Sequence, residues 1–199
     1  MSLVIVDTGV ANLASVKFAF ERMNTDVIIS RDASVIDAAS HVILPGVGAA
    51  PAAMRNIDAL GLTGVLKART KPMMGICLGM QLLFEELDEG GQTTQGLGLI
   101  EGRISKLDTG DQPSPHMGWN QLSALKNDPV LDGVSAGDYA YFVHSFAAPI
   151  TDHVIAASAY GQEFAAIVRK GNIYGCQFHP ERSSATGAKI LANFLKVSP

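Results

Sequence analysis

The sequence predicts an α/β fold: three layers, with a mostly parallel central sheet flanked by helices, and a mixed or antiparallel strand layer added in the C-terminal half. Three observations carry that prediction. Short, uniformly apolar runs alternate with stretches of helical spacing from the N-terminus to Leu44. A strand, a sharp turn and a helix-forming run meet at Cys77. From Leu97 the texture changes to short strand-like runs separated by turns.

The elements follow in order. Residues 3–6 read as a buried strand ending at Asp7-Thr8-Gly9. Leu13, Val16, Phe20 and Met23 recur at helical spacing and predict a helix over 12–23. A strand over 26–30, a short helix over 35–39 and a strand over 41–44 complete a βαβαβ rhythm. Residues 50–68 read as helical, interrupted at Gly61 and Gly64 and stopped by Lys71-Pro72. The apolar run 73–76 leads into Cys77, and 81–87 reads as the helix that follows. Residues 89–96 read as a polar loop. Strand-like runs then fall at 98–100, 104–107, 139–143, 154–158, 165–168 and 173–178. A helix over 185–196, capped by Ser183 or Ser184, closes the chain.

The 199 residues suit one domain spanning 1–199. With 47% hydrophobic and 17% charged residues, the composition is that of an ordinary globular protein. A formal net charge of −4 and the lack of any basic tract argue against nucleic acid or an anionic membrane as partner. The N-terminus does not resemble a signal peptide, and no apolar run is long enough to span a bilayer. A cytoplasmic location is expected, with Cys77 and Cys176 as free thiols. No clustered Cys/His set suggests a metal, and no cofactor is expected.

Cys77 lies in G-I-C-L-G, between Gly75 and Gly79. That spacing is the nucleophile elbow of the α/β hydrolases with cysteine in place of serine. Small residues two positions away let the chain double back, and a helix start beside the sulfur favours thiolate. A free cysteine is also commonly a small buried hydrophobe, so the motif needs a base elsewhere. Gln177-Phe178-His179-Pro180-Glu181 supplies one. Pro180 biases His179 towards an extended conformation, from which Glu181 can orient the imidazole while its other nitrogen faces the thiol. Pro45-Gly46-Val47-Gly48 ends the third strand, where ligands of open α/β sheets gather, and its backbone N–H groups suit an oxyanion. An ordinary Pro-Gly turn is the alternative.

Together, G-I-C-L-G-M-Q, P-G-V-G and Q-F-H-P-E resemble the class I, triad-type glutamine amidotransferases. The resemblance is narrower still to the glutaminase subunits of imidazole glycerol phosphate synthases. It is carried there by Asp7-Thr8-Gly9-Val10-Ala11-Asn12-Leu13, Pro115-His116-Met117-Gly118-Trp119-Asn120 and Tyr141-Phe142-Val143-His144-Ser145-Phe146. The resemblance implies that Cys77 attacks the glutamine amide, that His179 passes a proton to the leaving ammonia and that Glu181 holds His179. It implies oxyanion donors at Leu78 and within Gly46, Val47 and Gly48, after a peptide there reorients. It assigns Gln81, Glu89, His144, Ser145 and Phe146 to glutamine binding; Phe146 stands where tyrosine is common. It further implies a heterodimer with a cyclase subunit, a (β/α)₈ barrel that uses the ammonia to form imidazole glycerol phosphate in histidine biosynthesis. Asn12, Trp119, Asn120 and Arg182 are the interface candidates, with Arg182 where lysine is often found. An amidotransferase of another pathway, such as anthranilate, guanylate or pyridoxal phosphate synthesis, would share the elbow and H-P-E but suits P-H-M-G-W-N less well. A non-catalytic α/β protein with a redox-sensitive cysteine is a third possibility, and it leaves His179 and Glu181 without a role.

Overall fold

The structure, a computed structural model, describes residues 2–9 and 11–198; Val10, part of the first motif quoted above, lies outside them. The chain opens with β1 (Leu3–Val6), α1 (Leu13–Glu21), β2 (Val27–Ser30), α2 (Ala33–Ala38) and β3 (His41–Gly46). It continues through α3 (Ala50–Ala59), α4 (Thr63–Lys67), β4 (Met73–Cys77) and α5 (Leu78–Gln81). Then come β5 (Phe84–Glu89), β6 (Gln92–Gln95), β7 (Ile100–Lys106), β8 (His116–Gln121), β9 (Tyr139–His144) and β10 (Phe146–Ala147). The chain ends with β11 (Val154–Tyr160), β12 (Gln162–Lys170), β13 (Ile173–Cys176) and α6 (Ser184–Phe194).

The main sheet has the strand order β11-β12-β13-β4-β3-β1-β2. From β2 across to β13 the strands are parallel; β12 and β11 extend that edge antiparallel. Successive residues of one strand enter opposite cores, as the period of two requires. Val4 and Val6 pack with Ile36, Met54, Ile57 and Leu66 of α2–α4. Leu3 and Ile5 pack with Phe20 of α1 and with Ile190, Leu191 and Phe194 of α6. Burial on both faces is why these strands read as unbroken apolar runs. Local signals set the helix ends. Asn12 Oδ1 accepts from the Ser15 N–H at α1, and Asp32 Oδ1 from the Ser34 N–H at α2.

The structure changes several expectations. Residues 50–68 form two helices, broken where Gly61 takes φ +69°. The helix expected over 81–87 is only α5; from Phe84 the chain is strand β5, paired with β7 and β6. The loop expected over 89–96 contains β6. The added layer divides three ways. It comprises the antiparallel edge of the main sheet, a four-stranded sheet β10-β7-β5-β6 and the β8–β9 hairpin. Ser183 stands at the N-cap position of α6, but its hydroxyl does not cap the helix. Instead it donates to the His179 carbonyl at 2.7 Å and accepts from the Tyr141 N–H at 2.9 Å. Among the described residues, no helix is long and apolar enough to cross a membrane.

Candidate active site

Three parallel strands deliver the key residues to one edge of the sheet. Gly46 at the end of β3 is in register with Cys77 at the end of β4, and Ile76 is in register with Cys176 of β13, which runs on to His179. Cys77 sits at φ +54°, a region costly for any side chain but glycine. Its neighbours must be glycine for space. A Cβ on Gly79 would lie 1.8 Å from the Leu44 carbonyl oxygen, and one on Gly75 2.5 Å from the Gly79 oxygen. The elbow helix therefore rests directly on β3 and β4. With four residues, α5 does not build the long-range dipole expected from a longer helix. Charge stabilisation at the sulfur falls instead to the imidazole.

That imidazole is held tightly. His179 Nδ1 lies 2.8 Å from Glu181 Oε1, and the two side chains are 13% and 2% exposed. The geometry differs in detail from the extended strand expected: His179 is extended, but Pro180–Arg182 forms a 3₁₀ turn that swings Glu181 back under the ring. Burial works to lower the His179 pKa, but Cys77 on one side and the Glu181 carboxylate on the other outweigh it and push it up to about 10. At neutral pH the ring is thus an imidazolium between the Cys77 sulfur and the Glu181 carboxylate. The sulfur also contacts the Val143 carbonyl at 3.7 Å.

A pocket of about 310 Å³ opens over this group. Cys77, Leu78, His179, Val47 and Gly48 line one part, and Gln81, Glu89, His144, Ser145 and Phe146 another. Gly46 stands aside, on a much smaller cavity shared with Asn12, Val47, His179 and Glu181. A larger depression between residues 125–134 and α6 gathers no nucleophile and base, so the smaller pocket is the candidate site. Gln81 Nε2 donates to the Phe146 carbonyl at 2.9 Å and to Gln177 Oε1 at 3.0 Å, which fixes one pocket wall to β13's extension. Glu89 ends strand β5.

The interface candidates separate. Trp119 is 52% exposed on β8 and meets Tyr141 edge-on, with ring centroids 5.9 Å apart. Arg182 is exposed, and Asn12 caps α1. Asn120 points to the other face of β8, where its amide donates to the Ala159 carbonyl at 2.8 Å. Its amide therefore has a partner within the chain, while the other three candidates are exposed. Sequence reasoning missed Pro115 and Val143 in the pocket lining and Gln177 behind it. Gln177 was within reach, since it opens the Q-F-H-P-E run.

The glutamine amidotransferase class-I family model matches residues 4–197. The chain belongs to that family. Relatives of this amidotransferase include imidazole glycerol phosphate synthase subunit HisH 1 of Vibrio vulnificus, 51% identical over 98% of each chain. The subunit HisH of Vibrio cholerae is 50% identical, again over 98% of each. A solved glutamine amidotransferase overlays the amidotransferase with a TM-score of 0.75 over 97% of each chain, at 16% identity, which speaks to the fold alone.

Proposed function

We propose that this amidotransferase is the glutaminase subunit of an imidazole glycerol phosphate synthase, acting as a single domain. It hydrolyses L-glutamine to glutamate and ammonia and passes the ammonia to a (β/α)₈-barrel cyclase subunit for histidine biosynthesis. The observation that carries this reading is the half identity, along nearly the whole chain, to subunits of that synthase.

The chemistry follows from the group at the strand ends. The Cys77 sulfur attacks the side-chain carbonyl of glutamine as thiolate, with imidazolium His179 as its counter-ion. The carbonyl oxygen becomes an oxyanion. Leu78 opens α5, where a backbone N–H has no carbonyl one turn back, and it serves as one donor. A second donor comes from the Gly46–Gly48 peptides after one reorients. His179 then gives its proton to the departing nitrogen as the C–N bond breaks, releasing ammonia and leaving a γ-glutamyl thioester. Water adds to the thioester while His179 takes its proton, and glutamate leaves as the thiolate reforms. Glu181 holds the ring and stabilises its charged form throughout. Gln81, Glu89 and the His144–Phe146 segment bind the amino-acid end, with Glu89 facing the α-amino group. Trp119, Arg182, Asn12 and Asn120 dock the cyclase; an exposed tryptophan suits an interface anchor.

The test is glutamine hydrolysis by wild type and Cys77→Ala, with and without the cyclase and its nucleotide substrate. The expected result is weak hydrolysis by the chain alone, strong stimulation by the cyclase with nucleotide, and none with Cys77→Ala. Brisk hydrolysis that ignores the cyclase would contradict the reading.

A further inference from the structure

Behind the pocket wall a polar chain runs on from His144 to residues that the mechanism above leaves unused. His144 on β9 faces His116 on β8, paired in register. His116 Nδ1 lies 2.9 Å from His144 Nε2. His144 Nδ1 lies 2.9 Å from the Phe146 carbonyl oxygen, and His116 Nε2 3.3 Å from Asn120 Nδ2. The two rings are 6% and 2% exposed.

The ends of the chain decide where every proton sits. A carbonyl only accepts, so His144 Nδ1 carries hydrogen. Burial holds both rings neutral by pushing each pKa down to about 4. A neutral imidazole has a single N–H, so His144 Nε2 is bare and accepts. His116 Nδ1 must then be the donor, and His116 Nε2 accepts in turn from the Asn120 amide. Every donor points the same way, towards the Phe146 carbonyl that also receives Gln81 Nε2 at 2.9 Å. His116 cannot easily turn out of this role. Its ring is stacked between Phe142 and Tyr160, at centroid distances of 4.9 Å and 4.1 Å.

We infer that His116 is a positioning residue for glutamine turnover: its Nδ1–H holds His144 in the Nδ1–H tautomer, and His144 thereby holds the Phe146 carbonyl and the pocket wall around it. The inference rests on the reading of this pocket as the glutamine site. It assigns His116 no contact with the reacting atoms. The effect should therefore appear in how well glutamine is held rather than in the bond-breaking step.

Steady-state glutaminase kinetics of the assembled synthase, with cyclase and nucleotide present, test it. His116→Phe keeps a ring between Phe142 and Tyr160 but removes the donor; His116→Asn keeps a donor near the Nδ1 position. His116→Phe should raise KM for glutamine about tenfold with kcat within about threefold, and His116→Asn should recover most of the KM. ¹⁵N chemical shifts of the wild-type chain should show both rings as Nδ1–H tautomers at neutral pH. An unchanged KM in His116→Phe, or an Nε2–H tautomer at His144, overturns the inference. Should His116→Phe fail to fold, the wild-type tautomers and the His116→Asn KM decide it. Absence of hydrolysis by the wild-type assembly is a separate result, which brings down the functional reading and leaves the tautomers to judge the histidine chain.

Discussion

Glu89 Oε2 accepts a hydrogen bond of 2.7 Å from the Ala50 backbone N–H, so an acid on the pocket rim also caps helix α3. Ala49, at the N-cap position, has no side chain able to do this. The carboxylate therefore has a structural partner as well as a proposed substrate, and the two roles can be separated. Glu89→Gln keeps an acceptor and loses the charge; Glu89→Ala loses both. Loss of the cap should cost about 1 kcal/mol in Glu89→Ala, measured by urea denaturation, and much less in Glu89→Gln. Both should raise KM for glutamine. A Glu89→Gln protein with wild-type KM would leave the acid with the cap alone.

The strain at Cys77 predicts an exchange of activity for stability. Cys77→Gly relaxes φ +54° at the elbow and should raise thermal stability, by about 1 kcal/mol, while abolishing hydrolysis. Cys77→Ala should lose activity without that gain. Equal melting temperatures for the two variants would show that the elbow stores no strain.

Gly79 has no room for a methyl group, because its Cβ would fall 1.8 Å from a backbone oxygen of β3. Gly79→Ala should destabilise by several kcal/mol or fail to yield soluble protein, since a backbone atom cannot swing aside as a side-chain tip can. Gly48, with nothing within 4 Å of such a methyl, makes the contrast: at φ +89° its alanine variant is strained but not blocked, and should fold. Comparable yields and denaturation midpoints for Gly79→Ala and wild type would refute the close-approach argument.

Opposed histidines shape the pH dependence of stability. His116 and His144 are lowered to about 4 from an ordinary 6.5, so between those values the unfolded chain binds more protons. Their contribution is complete above about 6.5 and falls as the pH drops towards 4. His179 is raised to about 10, so its contribution is complete below 6.5 and is lost as the pH climbs towards 10. Denaturation midpoints should therefore fall on both sides of neutrality. Glu181→Gln, which removes the carboxylate holding the His179 ring, should flatten the alkaline limb and lower the His179 pKa seen by NMR. An alkaline limb identical to wild type would contradict this assignment.

The sequence pointed to Cys77, His179 and Glu181 because the signals are local: glycines two residues either side of a cysteine, and a proline that sets the residue before it. It revealed the N-terminal half of the sheet because strands buried on both faces have no polar residues to confuse the period. Residues 81–87 misled for a physical reason. Gln81-Leu82-Leu83-Phe84-Glu85-Glu86-Leu87 has good helix propensity, yet Phe84 pairs with Ile100 and Glu86 with Arg103, and pairing across the small sheet overrides the local preference. Strand β8 was hidden because His116, Gly118 and Asn120 on its inner side do not look apolar, although buried His116 is satisfied by the Asn120 amide and by His144. The histidine chain itself joins residues 28 positions apart, and only the hairpin register brings them face to face.

Ser183 has a wider consequence than the capping it forgoes. One hydroxyl joins the Tyr141 amide to the His179 carbonyl, and the His179 N–H returns to the Tyr141 carbonyl at 2.9 Å. The strand that backs the exposed tryptophan and the backbone that carries the His179 ring are thereby welded into one rigid joint. Any tilt imposed on the outer hairpin must either drag the imidazole with it or tear three hydrogen bonds at once.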